Sequence, residues 1–83
     1  MLFRSIINRS IATADNVLTC YNNAGSSMGT ITQSFSGSAA GDIDSLTPSS
    51  NNTFSAGDKI RIASDGNGTN TVPCSVIIEF TYT

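Results

Sequence analysis

The sequence contains no histidine and no tryptophan, and only 12% of its 83 residues are charged. Without histidine, the Ser-His-Asp and Cys-His arrangements that activate many hydrolytic nucleophiles cannot be built. The four basic residues are scattered, at Arg4, Arg9, Lys59 and Arg61, and the net charge is −2. Binding of nucleic acid needs a clustered basic surface. The common catalytic triads are therefore excluded, and we expect no nucleic-acid partner.

Long hydrophobic runs are also missing. No stretch approaches the ~18 apolar residues of a membrane-spanning helix. Arg4, Asn8 and Arg9 interrupt the apolar N-terminus before it reaches the length of a secretory signal. We therefore expect no membrane partner, and synthesis in a cytosol without a targeting step. The length of the chain predicts a single domain that covers residues 1–83.

Serine, threonine, asparagine and glycine are abundant, and 39% of the residues are hydrophobic. Low net charge together with that hydrophobic content is typical of a chain that folds rather than one that stays disordered. So few surface charges would protect a monomer poorly against association. We therefore expect partner subunits to cover much of the surface.

Alternation of apolar and polar residues predicts an all-β fold, because no window keeps the period of an amphipathic helix. The predicted strands are residues 16–21, 28–35, 58–64 and 72–82, with residues 42–46 as a candidate edge strand. Residues 2–11 favour β-structure without a clean alternation. Short strands separated by frequent turn signals predict a small antiparallel β-sandwich or barrel.

Turn residues indicate how the strands are joined. Residues 22–25 tolerate the positive φ of a tight turn. The Asp-Gly-Asn-Gly sequence at residues 65–68 is the strongest turn signal, and it predicts a hairpin between the two strands that flank it. In that hairpin we expect Glu79 to meet Lys59 or Arg61 across the sheet.

The acidic residues offer few chemical sites. Asp42 with Asp44, and Asp65 with Asn67, present oxygen ligands at a spacing that calcium sites use, but calcium needs about six to eight oxygens. Turn residues that bond their own backbone are the favoured interpretation. We expect no catalytic residue, no metal site and no cofactor.

Cys20 and Cys74 are the remaining reactive candidates. Each lies on the more apolar face of its predicted strand, where an unpaired cysteine behaves as a small buried hydrophobe. Free buried thiols are the favoured interpretation in a cytosolic protein, and a disulfide across the sandwich is the second.

The C-terminal half resembles a known family. Residues 54–62 resemble the "x-x-ala-gly-asp-x-ile-x-val" strand of small virion proteins of tailed bacteriophages. In those proteins a glycine-rich turn and a final apolar strand follow, as residues 65–68 and 72–80 do here. The elements that precede them are similar to residues 21–25 and 29–32.

The resemblance implies a jelly-roll-like sandwich that assembles as a homotrimer. It also implies a place in the virion, on the capsid surface, after synthesis in the host cytoplasm. The partners would be the major capsid protein or other virion proteins, with no small-molecule substrate. Because the chain is shorter than larger family members, we expect one or two strands of an eight-stranded jelly roll to be missing or very short.

Three functions follow from these observations. The leading hypothesis is a capsid decoration (cement) protein that stabilises the head shell. The alternative is a receptor-binding module associated with a tail or fibre. A small hydrolase or lectin-like accessory is disfavoured by the missing histidine and tryptophan.

The N-terminal segment is the predicted contact with a neighbouring subunit or the capsid. Segments with apolar residues but weak alternation often become ordered only against a partner. The predicted contact residues are Leu2, Phe3, Ile6 and Ile7. A place in the core is the other interpretation of these residues. If they form the contact, deletion of the first eight residues should abolish docking and leave the sandwich folded.

Overall fold

The computed structural model describes residues 1–67 and 72–80. These residues form six strands: β1 (Leu2–Ile7), β2 (Asn16–Tyr21), β3 (Ser27–Gln33), β4 (Ile43–Leu46), β5 (Arg61–Ser64) and β6 (Cys74–Glu79). They build two antiparallel sheets, ordered β4–β1–β6 and β3–β2–β5. The predicted all-β antiparallel sandwich is confirmed, with six described strands rather than the eight of a full jelly roll. Gly68 of the predicted turn and residues 81–82 of the last predicted strand lie outside the described residues.

Strand β1 is the centre of the β4–β1–β6 sheet and has a strict alternation that the sequence obscures. The inward side chains, all buried, are Phe3, Ser5 and Ile7. The outward side chains, all half-buried, are Leu2, Arg4 and Ile6. The pattern is hard to read from the sequence because a serine occupies an inward position and two aliphatic residues occupy outward ones.

Strand β2 is the centre of the other sheet, and its bounds match the predicted residues 16–21. Leu18 and Cys20 face the core together with Ile31 of β3. The prediction for residues 28–35 is wrong at its end, because β3 stops at Gln33. Phe35, the last residue of the predicted strand, therefore lies beyond β3 and is 45% exposed.

The predicted hairpin between residues 58–64 and 72–82 is wrong. Strand β5 pairs with β2 in one sheet, and β6 pairs with β1 in the other. The turn after β5 is bonded to β2: Asp65 N–H donates to Val17 O at 3.0 Å, and Val17 N–H donates to Asp65 Oδ1 at 3.1 Å. The two strands thus lie in opposite layers, where their apolar faces contribute to one core.

The partner of Glu79 differs from the prediction for the same reason. Since β6 lies beside β1, Leu2 is opposite Glu79 in the register. The Glu79 carboxylate forms its ion pair with the guanidinium of Arg4, at a surface position. Arg61 belongs to the opposite layer, where it pairs with Tyr21 of β2, and the Lys59 amide donates to Asn23 Oδ1.

The two sheets come closest where β3 faces β4 and β1, with Cα atoms of facing strands within 8 Å. Gly29 allows this approach, because a Cβ atom at that position would lie 2.8 Å from Leu46 Cδ1. Its φ of 129° is a further reason for glycine there. The Leu46 side chain therefore packs directly on the backbone of β3, and this side of the sandwich is tightly closed.

Candidate functional site

The outer face of the β4–β1–β6 sheet carries four aliphatic side chains around the Arg4–Glu79 ion pair, and we call it the apolar outer face. Its aliphatic residues are Leu2, Ile6, Ile43 and Ile77, and its other outward residues include Ser45 and Ser75. Ile43 is directly opposite Ile6, and Ile77 is opposite Arg4. Ile43 is 61% exposed and Ile77 is 45% exposed. Clustered exposed aliphatic residues of this kind are typical of a contact surface.

The outer face of the β3–β2–β5 sheet has a different character. Three threonines lie on this face: Thr19 of β2 is opposite Thr30 of β3, and Thr32 is the next outward residue of β3. At the other edge the guanidinium of Arg61 lies 3.9 Å from the centre of the Tyr21 ring. The exposed aliphatic residues of the two sheets thus lie on one outer face of the sandwich, that of β4–β1–β6.

The predicted contact residues divide between the core and the apolar outer face. Phe3 and Ile7 are 0% and 1% exposed, so their side chains cannot reach a partner, and that part of the prediction is corrected. Leu2 and Ile6 lie on the apolar outer face. Ile43 and Ile77 lie on the same outer face, and the sequence alone did not indicate this because only the strand register places them beside β1.

Four hydrogen-bonded polar side chains connect the two sheets, and we call them the polar chain. Ser64 Oγ donates to Asn16 Oδ1 at 2.8 Å, and Asn16 Nδ2 donates to Gln33 Oε1 at 2.8 Å. Gln33 Nε2 then donates to Ser5 Oγ at 3.3 Å. This polar chain begins at the exposed edge of β5 and ends on β1 in the opposite sheet, so it links the two layers.

The polar chain forms one wall of a cleft at the end of the sandwich, with a volume of about 200 Å³. The lining residues are Ile11, Asn16, Leu18, Gln33, Ser64, Gly66, Val72 and Cys74. In the described part of the chain, every buried side-chain nitrogen and oxygen has a hydrogen-bond partner. The amides that line the cleft bond to each other, which favours a structural role for them.

The two cysteines occupy different environments. Both are free, as favoured above. Cys20 is buried, and burial raises the pKa of its thiol. The expected burial of Cys74 is wrong: it has the inward orientation of Val76 and Ile78, but at the end of β6, where the cleft opens, it is exposed.

In dilute native protein, an alkylating reagent should therefore modify Cys74 quickly and leave Cys20 unmodified. Reagents attack the thiolate, so burial and a raised pKa both protect Cys20. Mass spectrometry should find one label per native chain and two after denaturation. A native chain with no label, or with two, would contradict the burial described here.

Asp42 and Asp65 bond their own turns, which confirms the favoured interpretation for these two residues, whereas Asp44 lies in β4. The Ala39 amide donates to Asp42 Oδ2 at 2.9 Å, and the Asn67 amide donates to Asp65 Oδ1 at 3.1 Å. Burial, and second the charge of Asp42, raise the pKa of the half-buried Asp44. Within residues 1–67 and 72–80, no three histidine, cysteine or acidic residues cluster as metal ligands would.

Comparison with known proteins found no family model that matches the chain, and no significantly similar curated protein or solved structure. None of the described residues forms a helix that could span a membrane.

Proposed function

We propose that this protein is a structural component of a tailed-phage particle, a capsid decoration protein that binds the head shell through its apolar outer face. Its partner in this role is the major capsid protein or another virion protein. The observation that carries the proposal is the contrast between the two outer faces. One presents exposed Ile43 and Ile77, and the other presents exposed Thr30 and Thr32 and the exposed Arg61.

The physical argument for docking rests on burial of aliphatic surface. Removal of apolar surface from water contributes about 25 cal/mol per Å². A single small face gives a weak contact, but many copies on a symmetric lattice stabilise the assembled shell together. The half-buried Leu2 and Ile6 and the exposed Ile43 and Ile77 lie on one face around the Arg4–Glu79 ion pair, so a partner that docks there would cover aliphatic side chains and this ion pair together.

The sequence supports the same role through residues 54–62, which resemble the virion protein pattern. In the structure, Phe54, Ile60 and Ile62 pack against the core from one side. The Asp58 carboxylate accepts from the Ser55 amide at 2.9 Å, which closes the Ala-Gly-Asp turn. The motif thus closes a turn and supplies apolar side chains to the core of this protein.

Counting copies in purified particles tests the proposed location. Hundreds of copies per particle are expected for a decoration protein, and quantitative mass spectrometry would measure them. A handful of copies would indicate the tail or fibre instead, and would overturn the proposal in favour of a receptor-binding module.

Substitution on the apolar outer face tests the proposed surface. Ile43→Lys should reduce binding to stripped particles at least about tenfold, because the contact would bury a charge. Thr32→Lys is the matched control: it adds the same charge at an exposed position on the opposite face and should bind normally. Equal binding of the two folded variants would show that the apolar outer face is not the docking surface.

A further inference from the structure

Strand β6 is an edge strand without the usual protection against pairing. It pairs with β1 on one side, and no other described strand lies on its second side. Natural edge strands are commonly protected by charged residues or by shortness. The edge strand β4 has four residues including the half-buried Asp44, and β5 has four including Arg61. By contrast, β6 has six residues and no charge before Glu79.

The free edge of β6 presents backbone groups in a regular row. Asn8 N–H donates to Pro73 O at 2.8 Å, so this pair belongs to the hydrogen-bonded positions of the β1–β6 ladder. Bonded and non-bonded pairs alternate in an antiparallel ladder. Ser75, Ile77 and Glu79 therefore bond β1, and the intervening residues turn their N–H and C=O groups away from it. Those residues are Cys74, Val76 and Ile78.

The core of the sandwich is also incompletely covered on the side where β6 and β5 form the edges of the two sheets. We call this side the open side. Strand β3 is an edge strand as well, but its inward residues are buried: Met28, Ile31 and Gln33. The inward residues at the open side are only half-buried, namely Ile62, Val76 and Ile78, and Cys74 is exposed. No described Cα atom of β5 comes within 8 Å of β6. Among residues 1–67 and 72–80, partly exposed apolar side chains and backbone groups without a strand partner thus occur together on this side.

We propose that β6 pairs antiparallel with β6 of a second copy of this chain, around a two-fold axis at Val76. In this register Val76 is opposite Val76 of the second copy, and Cys74 is opposite Ile78 of the second copy. All three residues that turn their backbone groups outward then form hydrogen-bonded pairs. No other antiparallel register between two copies of β6 pairs Cys74, Val76 and Ile78 only with one another.

Symmetry favours a second copy over an unrelated strand. A two-fold axis perpendicular to the sheet keeps the two layers in register, so the open sides of both copies meet. One contact then covers Ile62, Val76 and Ile78 of each chain. The one charged residue of β6, Glu79, is paired with Arg4 of its own chain and would be opposite Pro73 of the second copy in this register, so like charges do not meet. The chain has a net charge of only −2. The paired sheets would also join two apolar outer faces into one surface.

The oligomeric state of the purified chain is the first test. Sedimentation at micromolar concentration should give a dimer. A monomer at every concentration, or the trimer implied by the family resemblance, would overturn this pairing. Neither result would contradict the proposed binding of the capsid through the apolar outer face.

Proline at the axis tests the pairing directly. Val76→Pro removes the outward N–H without removing a bond to β1, whereas Val76→Ala loses the same side chain and keeps the N–H. Circular dichroism would first establish that both variants are folded. The dimer dissociation constant of the proline variant should then be at least about tenfold higher than that of the alanine variant. Equal dissociation constants would overturn the proposal.

A cross-link makes the test independent of whether the proline variant folds. In the proposed register, Ile78→Cys places its thiol opposite Cys74 of the second copy, at a Cα separation of about 5.5 Å, which suits a disulfide. Mild oxidation should give a covalent dimer. The same variant with Cys74→Ser is the control and should stay unlinked, because residues 78 of the two copies lie roughly 13 Å apart along the strands. A folded Ile78→Cys protein that forms no covalent dimer would overturn the proposal.

Discussion

A variant that lacks residues 1–8 is expected to be unfolded. These residues contain β1, which is bonded to β4 on one side and to β6 on the other. Its removal leaves two short strands without a shared neighbour and takes Phe3 and Ile7 out of the core. Truncation of one buried phenylalanine to alanine alone costs about 3–5 kcal/mol, a large part of the ~5–15 kcal/mol that stabilises a typical domain. The expectation that the sandwich folds without this segment is therefore corrected.

Circular dichroism and the dispersion of amide chemical shifts would measure the loss of folded structure in the variant that lacks residues 1–8. The matched control keeps the length of the chain and changes only outward residues, as in Leu2→Thr with Ile6→Thr. That protein should stay folded, because neither side chain contributes to the buried core. Phe3→Ala should lower the free energy of unfolding in urea by the amount given above. A cooperative unfolding transition in the deletion variant would show that β1 is dispensable.

The second large effect is expected from the polar chain. Ser5 and Gln33 are 0% and 2% exposed, and the bond between their side chains joins the two sheets. Ser5→Ala leaves Gln33 Nε2 buried without an acceptor, which should cost about 1–3 kcal/mol. Gln33→Leu should cost at least as much, because Asn16 Nδ2 also loses its acceptor.

The double variant Ser5→Ala with Gln33→Leu separates a polar bond from simple packing. When both partners become apolar, no unpaired group remains between them, so the loss should be smaller than the sum of the two single losses. Urea denaturation of the unchanged protein, the two single variants and the double variant gives the coupling free energy between Ser5 and Gln33. Thr32→Ala serves as a control at an exposed position of β3, the strand that contains Gln33. Strictly additive losses would mean that the Ser5–Gln33 bond contributes nothing to stability.

Local patterns in the sequence determined much of the secondary structure. The bounds of β2 agree with its alternation, and the edge strand β4 lies within the predicted residues 42–46. The turns at Asp42 and Asp65 formed as predicted, because a short acidic side chain bonds backbone amides two or three residues away. These features depend on neighbours within a few residues, which the sequence displays directly.

Only the tertiary structure decided which strands pair and how deeply each is covered. Nothing in residues 58–80 alone shows that β5 belongs beside β2 and β6 beside β1, because pairing partners are chosen by contacts between distant segments. The same contacts bury Phe3 and Ile7 beneath the opposite sheet and leave Cys74 exposed at the cleft. Alternation assigns a side chain to a face of its strand, but burial depends on what the other layer places over that face.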